Sequence, residues 1–297
     1  MRTLAHIINP VKVDKSSALF VAPPITFETM ENAREVARVQ VDVTLFSANY
    51  AEDASFVTKV FQLTPNLDRS VLDFGSFQEQ RKLPLLRDIL SRLYEASNAE
   101  YFIYTNVDIA VMPYFYIAVN SLIDASYDAF VINRRTISDR FQSINEIPLM
   151  LAEVGKSHPG HDCFVFKREA YSKYNLANVC IGMPPVGRVL IWNLMCHAQN
   201  FREFKKKHLT FHLGDDRNWV SDKYSDYFDY NINEGLKVWK ALDKEYGPFD
   251  DNAPRSLYPP IKVNGKAGPN KVRRLFERLH QYGYKKRKTL TERRTNE

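Results

Sequence analysis

Two polar residues follow a strongly apolar run, and their spacing suits the binding of a metal or a phosphate. The segment Tyr101–Thr105 has the composition of a buried strand, and Asn106 and Asp108 come directly after it. In open α/β sheets, ligands bind beyond the carboxyl ends of strands, where side chains two residues apart share a face. A carboxylate beside an amide oxygen can bind a hard divalent cation that bridges a diphosphate. In the alternative interpretation, Asp108 caps the next element and Asn106 shapes a turn.

A second group of candidates lies in the segment HPGHDCFVFKR, His158–Arg168. Its Pro-Gly pair turns the chain, and His161 and Asp162 stand at the head of a strand that is predicted to begin at Cys163. Asp162 is placed to act as a base or to hold a substrate hydroxyl, with His161 as its neighbour in the site. An ordinary loop with an Asx-turn would explain the same residues.

A third candidate is the histidine of LTFHLGDDRNW, Leu209–Trp219. His212 stands between apolar residues, ahead of a glycine and two acidic residues. If it faces the same cleft as Asp108, the two complete a mixed oxygen and nitrogen site that suits manganese or magnesium. The alternative is a histidine that is buried in the core with its hydrogen bonds satisfied.

The elements that must position these residues alternate between strands and helices. Strands are predicted at Thr3–Pro10, Val41–Ala48, Tyr101–Thr105, Ser126–Arg135, from Cys163 within Cys163–Tyr174, and His208–Gly214, and helices at Phe27–Gln40, Lys82–Ser97 and Val189–Asn200. This alternation predicts an α/β domain with a mostly parallel central sheet flanked by helices. The common nucleotide-binding fingerprints, GxGxxG and the Walker loop, are absent from the sequence.

The positive charge of the chain is concentrated near its end. The formal net charge is +6, but Lys266–Glu297 holds 11 Lys and Arg against 3 Asp and Glu, and the remainder is slightly acidic. We therefore predict a main domain at 1–252 and a Pro/Gly linker with a basic C-terminal extension at 253–297. The extension is either solvated or able to bind an anionic membrane surface or a nucleic acid.

Composition also bears on the cellular compartment. The sequence shows no secretory signal pattern and no apolar run of the roughly 18 residues that a membrane span requires. Cys163, Cys180 and Cys196 are unclustered and lack metal-ligand spacing, which favours free thiols in a reducing compartment. We expect a cytoplasmic protein, with contact to the inner face of a membrane through the basic extension as a further option.

The order of these features resembles the GT-A fold of nucleotide-sugar glycosyltransferases, a Rossmann-related fold. An apolar first strand, the helix LPLLRDIL, a strand ending in TNVDI, a Gly-His-Asp segment and a late histidine follow one another between Thr3 and Trp219. In that family a short acidic motif, usually Asp-x-Asp, binds the divalent metal and the diphosphate of the donor. The resemblance implies that Asn106 and Asp108 occupy this motif. It also implies that Asp162 is the base or acceptor-binding acid and that His212 is the late metal ligand.

The sequence departs from the family pattern at Asn106, where the first acid of the motif is usual. One formal charge stands where two are common. The resemblance therefore allows a Mn²⁺ or Mg²⁺ ion held by Asp108 and His212 with help from Asn106, and it also allows independence from metal.

By analogy with the same fold, five residues are expected on the donor side. His6 and Asn9 would lie near the nucleotide at the end of the first strand, together with the helix residues Arg87 and Asp88. Arg134 would contact the donor sugar or its phosphate. For Arg87, Asp88 and Arg134, an exposed charge on a helix or loop remains the alternative.

These features predict an enzyme that transfers a sugar from a nucleoside diphosphate donor to the hydroxyl of a glycan or glycolipid acceptor. One alternative is a sugar nucleotidyltransferase, although the segment after the first strand lacks the glycine-rich loop of such enzymes. Another is a non-catalytic module that binds a nucleotide sugar or a glycan, which Asn106 keeps open. Dedicated nucleic-acid binding is not expected, because basic patches with interleaved aromatic residues are missing outside the extension.

Overall fold

The computed structural model describes residues 1–215 and 222–247 of the chain. Its helices are α1 (Ala22–Ala37), α2 (Leu86–Ala96), α3 (Phe115–Asp124), α4 (Ile147–Ala152), α5 (Val186–His197) and α6 (Ser225–Tyr246). Its strands are β1 (Arg2–Ile8), β2 (Val41–Ser47), β3 (Gln62–Leu63), β4 (Tyr101–Thr105), β5 (Ala110–Val111), β6 (Ala129–Ile137), β7 (Lys156–Lys167), β8 (Phe201–Phe204) and β9 (Thr210–Leu213).

The chain divides into two compact units, Met1–Val238 and Trp239–Glu297, and the second is described only as far as residue 247. The predicted linker and basic extension at 253–297 lie outside the described residues. The predicted domain boundary after residue 252 stays a prediction.

The strands of the described residues form one mixed sheet in the order β3-β2-β1-β4-β7-β6-β9-β5, with β8 paired to β6. Five of the strand pairs among the described residues are parallel, namely β1–β2, β1–β4, β2–β3, β6–β8 and β6–β9. Three are antiparallel, namely β4–β7, β6–β7 and β5–β9. Helices α1 and α3 pack on β2, α2 on β1, and α5 on β6 and β7. The predicted α/β class with a mostly parallel sheet flanked by helices is confirmed.

Strands β1 and β4 are buried because they lie inside the sheet. All five residues of β4 and the last five of β1 are buried. A strand covered on both faces reads as a continuous apolar run rather than as an alternating one, which is why YFIYT is apolar throughout. One core cluster joins residues of these strands, such as Leu4 and Ile103, to Met30 of α1 and Val119 of α3.

Strand β7 differs from its predicted extent, and the difference shapes the site. It begins at Lys156, seven residues before the predicted start at Cys163. The Pro-Gly pair therefore lies within a strand instead of turning the chain in a loop. Its pairing with β6 shifts register twice, between the pairs of Val131 and Asn133 and between those of Asn133 and Arg135. Such bulges redirect side chains and let a strand continue past a proline.

Cys163 and Cys180 are buried free thiols, and Cys196 is a partly buried one. No helix within 1–215 or 222–247 is both long and apolar enough to traverse a lipid bilayer.

Candidate functional site

The end of β4 is joined to β7 through the side chain of Asn106. The Nδ2 of Asn106 donates a hydrogen bond to Oδ1 of Asp162 at 3.2 Å. Its Oδ1 accepts one from the hydroxyl of Tyr104, also at 3.2 Å. Asn106 therefore holds the Asp162 carboxylate at the carboxyl end of the buried strand.

Asp108 forms an ion pair with His212 of β9. The Nε2 of His212 lies 3.2 Å from Oδ2 of Asp108, and its Nδ1 lies 2.9 Å from the carbonyl oxygen of Gly214. Both partners are hydrogen-bond acceptors, so both ring nitrogens carry a hydrogen and the ring is an imidazolium. The Asp108 and His212 side chains are 23% and 11% exposed, which leaves the pair only weakly screened by solvent.

Arg134 of β6 forms a second ion pair with Asp162. Its Nη1 lies 2.5 Å from Oδ2 of Asp162, and each side chain is 12% exposed. Its Nη2 lies 3.9 Å from Oδ1 of Asp215, at the end of the first described range. Arg134, which was predicted to contact the sugar donor, therefore lies next to Asp162, which was predicted to act on the acceptor side.

The two ion pairs influence each other electrostatically. Burial alone would raise the pKa of Asp108, but the hydrogen bond and charge of His212, with the charge of Arg134, leave this pKa below its ordinary value. Burial would lower the pKa of His212, and so would the charge of Arg134, but the bond to Asp108 and its charge leave it raised. Three segments distant in the chain thus bring together the side chains of Asp108, His212 and Asp162, as the sequence interpretation requires.

Several buried polar atoms around these ion pairs make no hydrogen bond to another residue. They are Oδ1 of Asp108, Nε of Arg134, and the hydroxyl oxygens of Thr136 and Thr210. Thr136 is the register partner of His212, and Thr210 lies two residues before it on β9. A buried polar atom without a partner costs about 1–3 kcal/mol, and a bound polar ligand or water would remove this cost.

The side-chain atoms that could ligate a metal cation suit such an ion only in part. The free Oδ1 of Asp108 is a hard oxygen ligand, whereas His212 must lose a proton before a ring nitrogen can bind a metal. The amide of Asn106 is already engaged with Tyr104 and Asp162. Among the described residues, no group of three or more His, Cys, Asp and Glu side chains is arranged to hold a metal ion. A metal at this point would need ligands from outside the protein, such as the oxygens of a diphosphate.

The structure places His6 inside the protein. Its ring nitrogens lie 2.8 Å from the Tyr116 hydroxyl and 2.9 Å from the Thr105 hydroxyl, and burial lowers the pKa of His6 to about 3. With no exposed surface, the side chain has a structural role in place of the predicted nucleotide contact. Asn9 is also buried, and its Nδ2 donates to the carbonyl oxygen of Ala48 at the end of β2.

Arg87 and Asp88, in the first turn of α2, belong to a separate charged cluster. Asp88 accepts two hydrogen bonds from Arg69, at 2.8 and 2.7 Å, and lies 3.6 Å from Nε of Arg87. Both guanidinium groups lie within 6 Å of the Phe74 ring. No hydrogen bond or ion pair of the described residues joins this cluster to Asp108 or Asp162. Sequence reasoning missed Arg69, because its loop has no regular pattern.

His161 is held by a residue that sequence reasoning also missed. Its Nε2 lies 3.1 Å from Oε1 of Glu203 in β8, and the same oxygen accepts a hydrogen bond from Nδ2 of Asn133 at 3.1 Å. Strand β8 has only four residues and was not predicted. The FREF run at 201–204 offers no periodic signal that would have indicated it.

Comparison with known proteins returns structural neighbours but no family. No family model matches the chain, and no curated protein sequence matches it. The fold is similar to that of S. aureus TarS 1–349 in complex with UDP-GlcNAc, at 7% identity and a TM-score of 0.44, over 82% of this chain and 71% of that one. It is also similar to Mycobacterium tuberculosis glucosyl-3-phosphoglycerate synthase in complex with Mn²⁺, UDP and phosphoglyceric acid, at 12% identity and a TM-score of 0.42, over 84% and 80% of the two chains.

Identities of 7–12% with TM-scores below 0.5 are too low to carry a ligand or an activity over to this chain.

Proposed function

We propose that the protein transfers a sugar from a nucleoside diphosphate donor to the hydroxyl of an acceptor. The supporting observation is the convergence of Asp108, His212, Arg134 and Asp162 at the carboxyl end of β4, where Oδ1 of Asp108 and Nε of Arg134 are buried without a partner. Ligands of α/β sheets bind at such strand ends. Two cations facing two carboxylates can hold a diphosphate on one side and a hydroxyl on the other.

On the donor side, Arg134 and the imidazolium of His212 supply positive charge. Cations placed where negative charge develops on a leaving diphosphate stabilise the transition state. The unpaired Nε of Arg134 is free to donate to a phosphate oxygen. A Mn²⁺ or Mg²⁺ ion, if bound, would be held by Oδ1 of Asp108 and by His212 after loss of its proton, and would neutralise the same charge.

On the acceptor side we place Asp162 of β7, whereas the neighbouring His161, also predicted there, bonds Glu203 of β8 instead. Asp162 is fixed by Asn106 and Arg134, so it can orient a sugar hydroxyl. We propose a glycan or glycolipid as the acceptor. We also propose that the basic extension at 253–297 contacts an anionic membrane, because its Lys and Arg residues outnumber its acidic ones.

Isothermal titration calorimetry with UDP, GDP and CMP, each with and without Mn²⁺, tests the proposal. We expect one nucleoside diphosphate to bind and Arg134→Met to weaken it at least tenfold. Asp108→Asn should remove any Mn²⁺ dependence, whereas the exposed Asp42→Asn serves as its matched control and should bind as the wild type does. Nucleotide binding without turnover of any nucleotide sugar would instead support the non-catalytic module. If none of the nucleotides binds, the proposal is wrong.

A further inference from the structure

Arg134 brings a permanent positive charge into the candidate site. We infer that Arg134 binds the diphosphate of the donor without a divalent metal ion. This inference rests on the proposed sugar transfer and adds to it the group that neutralises the charge of the donor.

Asn106, the first residue of the predicted metal motif, is committed to two neighbours in the protein. Its Oδ1 accepts a hydrogen bond from the hydroxyl of Tyr104, and its Nδ2 donates one to Oδ1 of Asp162, each at 3.2 Å. The amide oxygen is therefore directed at the buried Tyr104, and the nitrogen is directed at Asp162. Because Asn ligates hard cations through its oxygen, an ion bound beside Asp162 would face the wrong end of this amide.

An aspartate at position 106 would be unfavourable in this arrangement. It would place a carboxylate oxygen where Nδ2 of Asn106 now lies, 3.2 Å from Oδ1 of Asp162. Two carboxylates so close cannot both keep their charge without a cation between them. The amide of Asn106 instead donates to Asp162, so the departure from the usual Asp-x-Asp pattern has a physical reason that requires no metal.

Both carboxylates of the site already have a cationic partner. Asp108 lies 3.2 Å from His212, and Asp162 lies 2.5 Å from Arg134. The pKa of Asp108, which burial raises, is brought below its ordinary value by His212 and also by Arg134, so the charge of Arg134 reaches Asp108 as well. A divalent cation would have to displace these partners or lie close to the guanidinium, which repels it. No trio of His, Cys, Asp or Glu side chains in the described part of the chain could hold such an ion.

Arg134 keeps hydrogen-bonding capacity for a phosphate. Its Nη1 donates to Asp162, its Nη2 lies 3.9 Å from Asp215, and its Nε is buried without a partner. The planar fork of a guanidinium matches the oxygens of a phosphate group. A fixed cation at the leaving diphosphate neutralises the negative charge that a metal ion would otherwise neutralise.

Nucleotide binding in the presence of EDTA tests this inference. UDP and GDP are titrated into the full chain by isothermal titration calorimetry, once with excess EDTA and once with Mn²⁺. For the nucleotide that binds, the two Kd values should agree within about threefold. Arg134→Met should weaken binding about tenfold or more under both conditions. The matched control is Arg140→Met, because the Arg140 side chain is 70% exposed and should leave Kd unchanged.

Metal binding by a redesigned site gives a second test that needs no nucleotide. The electron paramagnetic resonance signal of free Mn²⁺ falls when a protein binds the ion. The wild type should leave this signal unchanged, whereas the double variant Asn106→Asp, Arg134→Met should reduce it, because a carboxylate is added and the guanidinium is removed. The double variant Asn145→Asp, Arg140→Met makes the same change of charge at exposed positions and should behave as the wild type does. Circular dichroism checks that each variant folds.

Three results overturn the inference while the proposed function stands. The first is nucleotide binding by the wild type that EDTA abolishes and Mn²⁺ restores. The second is an Arg134→Met protein that binds the nucleotide as tightly as the wild type. The third is a wild type that binds Mn²⁺ without nucleotide and loses this binding in Asp108→Asn. The first two decide the matter even if the redesigned site does not fold. Failure of the wild type to bind UDP or GDP under both conditions overturns the proposed function and this inference with it.

Discussion

Replacing Asp162 by asparagine tests whether the ion pair at the centre of the site is buried and strong. The substitution keeps the size and shape of the side chain and removes its negative charge. Arg134, whose side chain is 12% exposed, is then left facing an amide. Its other ion-pair partner among the described residues is Asp215, at 3.9 Å, whose own side chain is 41% exposed, and Asp108 is close enough to feel its charge.

The expected loss of stability follows from this geometry. Removing one partner of a buried ion pair costs about 3–5 kcal/mol, because the other charge stays buried without compensation. Asp215 and the oxygen of the new amide compensate in part, so the loss should be near the lower limit, about 3 kcal/mol. Each kcal/mol shifts Tm by about 2–4 °C in a domain of 150–250 residues, so Tm should fall by about 6–12 °C.

Differential scanning calorimetry of Asp162→Asn against Asp124→Asn gives the comparison. Asp124 lies 2.7 Å from Arg2, but these side chains are 58% and 25% exposed, and such surface pairs contribute less than about 1 kcal/mol. The control should therefore shift Tm by no more than about 4 °C. Equal shifts in the two variants would refute the reasoning, because they would show that the Asp162 pair is no more buried than a surface pair.

Three further predictions follow from other contacts. His212→Gln should destabilise the protein more at pH 6 than at pH 9, and Tm at both pH values measures this. The raised pKa of His212 adds stability that is fully present below pH 6.5 and is lost as pH rises through the raised pKa of the folded state. The lowered pKa of Asp108 adds stability above pH 3.8, so Asp108 stays ionised at both pH values. Asn231→Ala should lower Tm by several degrees, because the side chain donates to and accepts from the backbone of buried Cys180, and calorimetry measures the loss. Removal of residues 266–297 should leave donor hydrolysis intact and weaken sedimentation with anionic vesicles, and equal sedimentation would discard the membrane proposal.

The sheet was predictable because its central strands are buried on both faces. Such strands leave continuous apolar runs, and Tyr101–Thr105 has the same bounds in the sequence and in the structure. Strand β7 was predicted too short, because Pro159 and Gly160 indicate a turn in the sequence. The antiparallel pairing with β6 and its two register shifts carry the strand through them. Pairing of this kind depends on residues distant in the chain, which local patterns do not report.

The candidate site was likewise predictable only in part from the sequence. Asp108, Asp162 and His212 were accessible to sequence reasoning because each precedes, follows or interrupts a predicted strand. Their convergence was a hypothesis that only the tertiary structure tests. Glu203 had no signal, since it lies in a four-residue strand whose place beside β6 is set by long-range pairing. His6 was misjudged because a strand-end histidine and a core histidine look alike until Tyr116 is seen beside it.

The central claim is that the ion pairs of Asp108–His212 and Arg134–Asp162 surround the place of a nucleoside diphosphate. A crystal structure after soaking with UDP and Mn²⁺, phased with the anomalous signal of manganese, tests this most directly. We predict diphosphate density within hydrogen-bond distance of Arg134, with any manganese peak next to Oδ1 of Asp108. Clear density for the nucleotide elsewhere on the protein, with these four side chains unchanged, would contradict the claim.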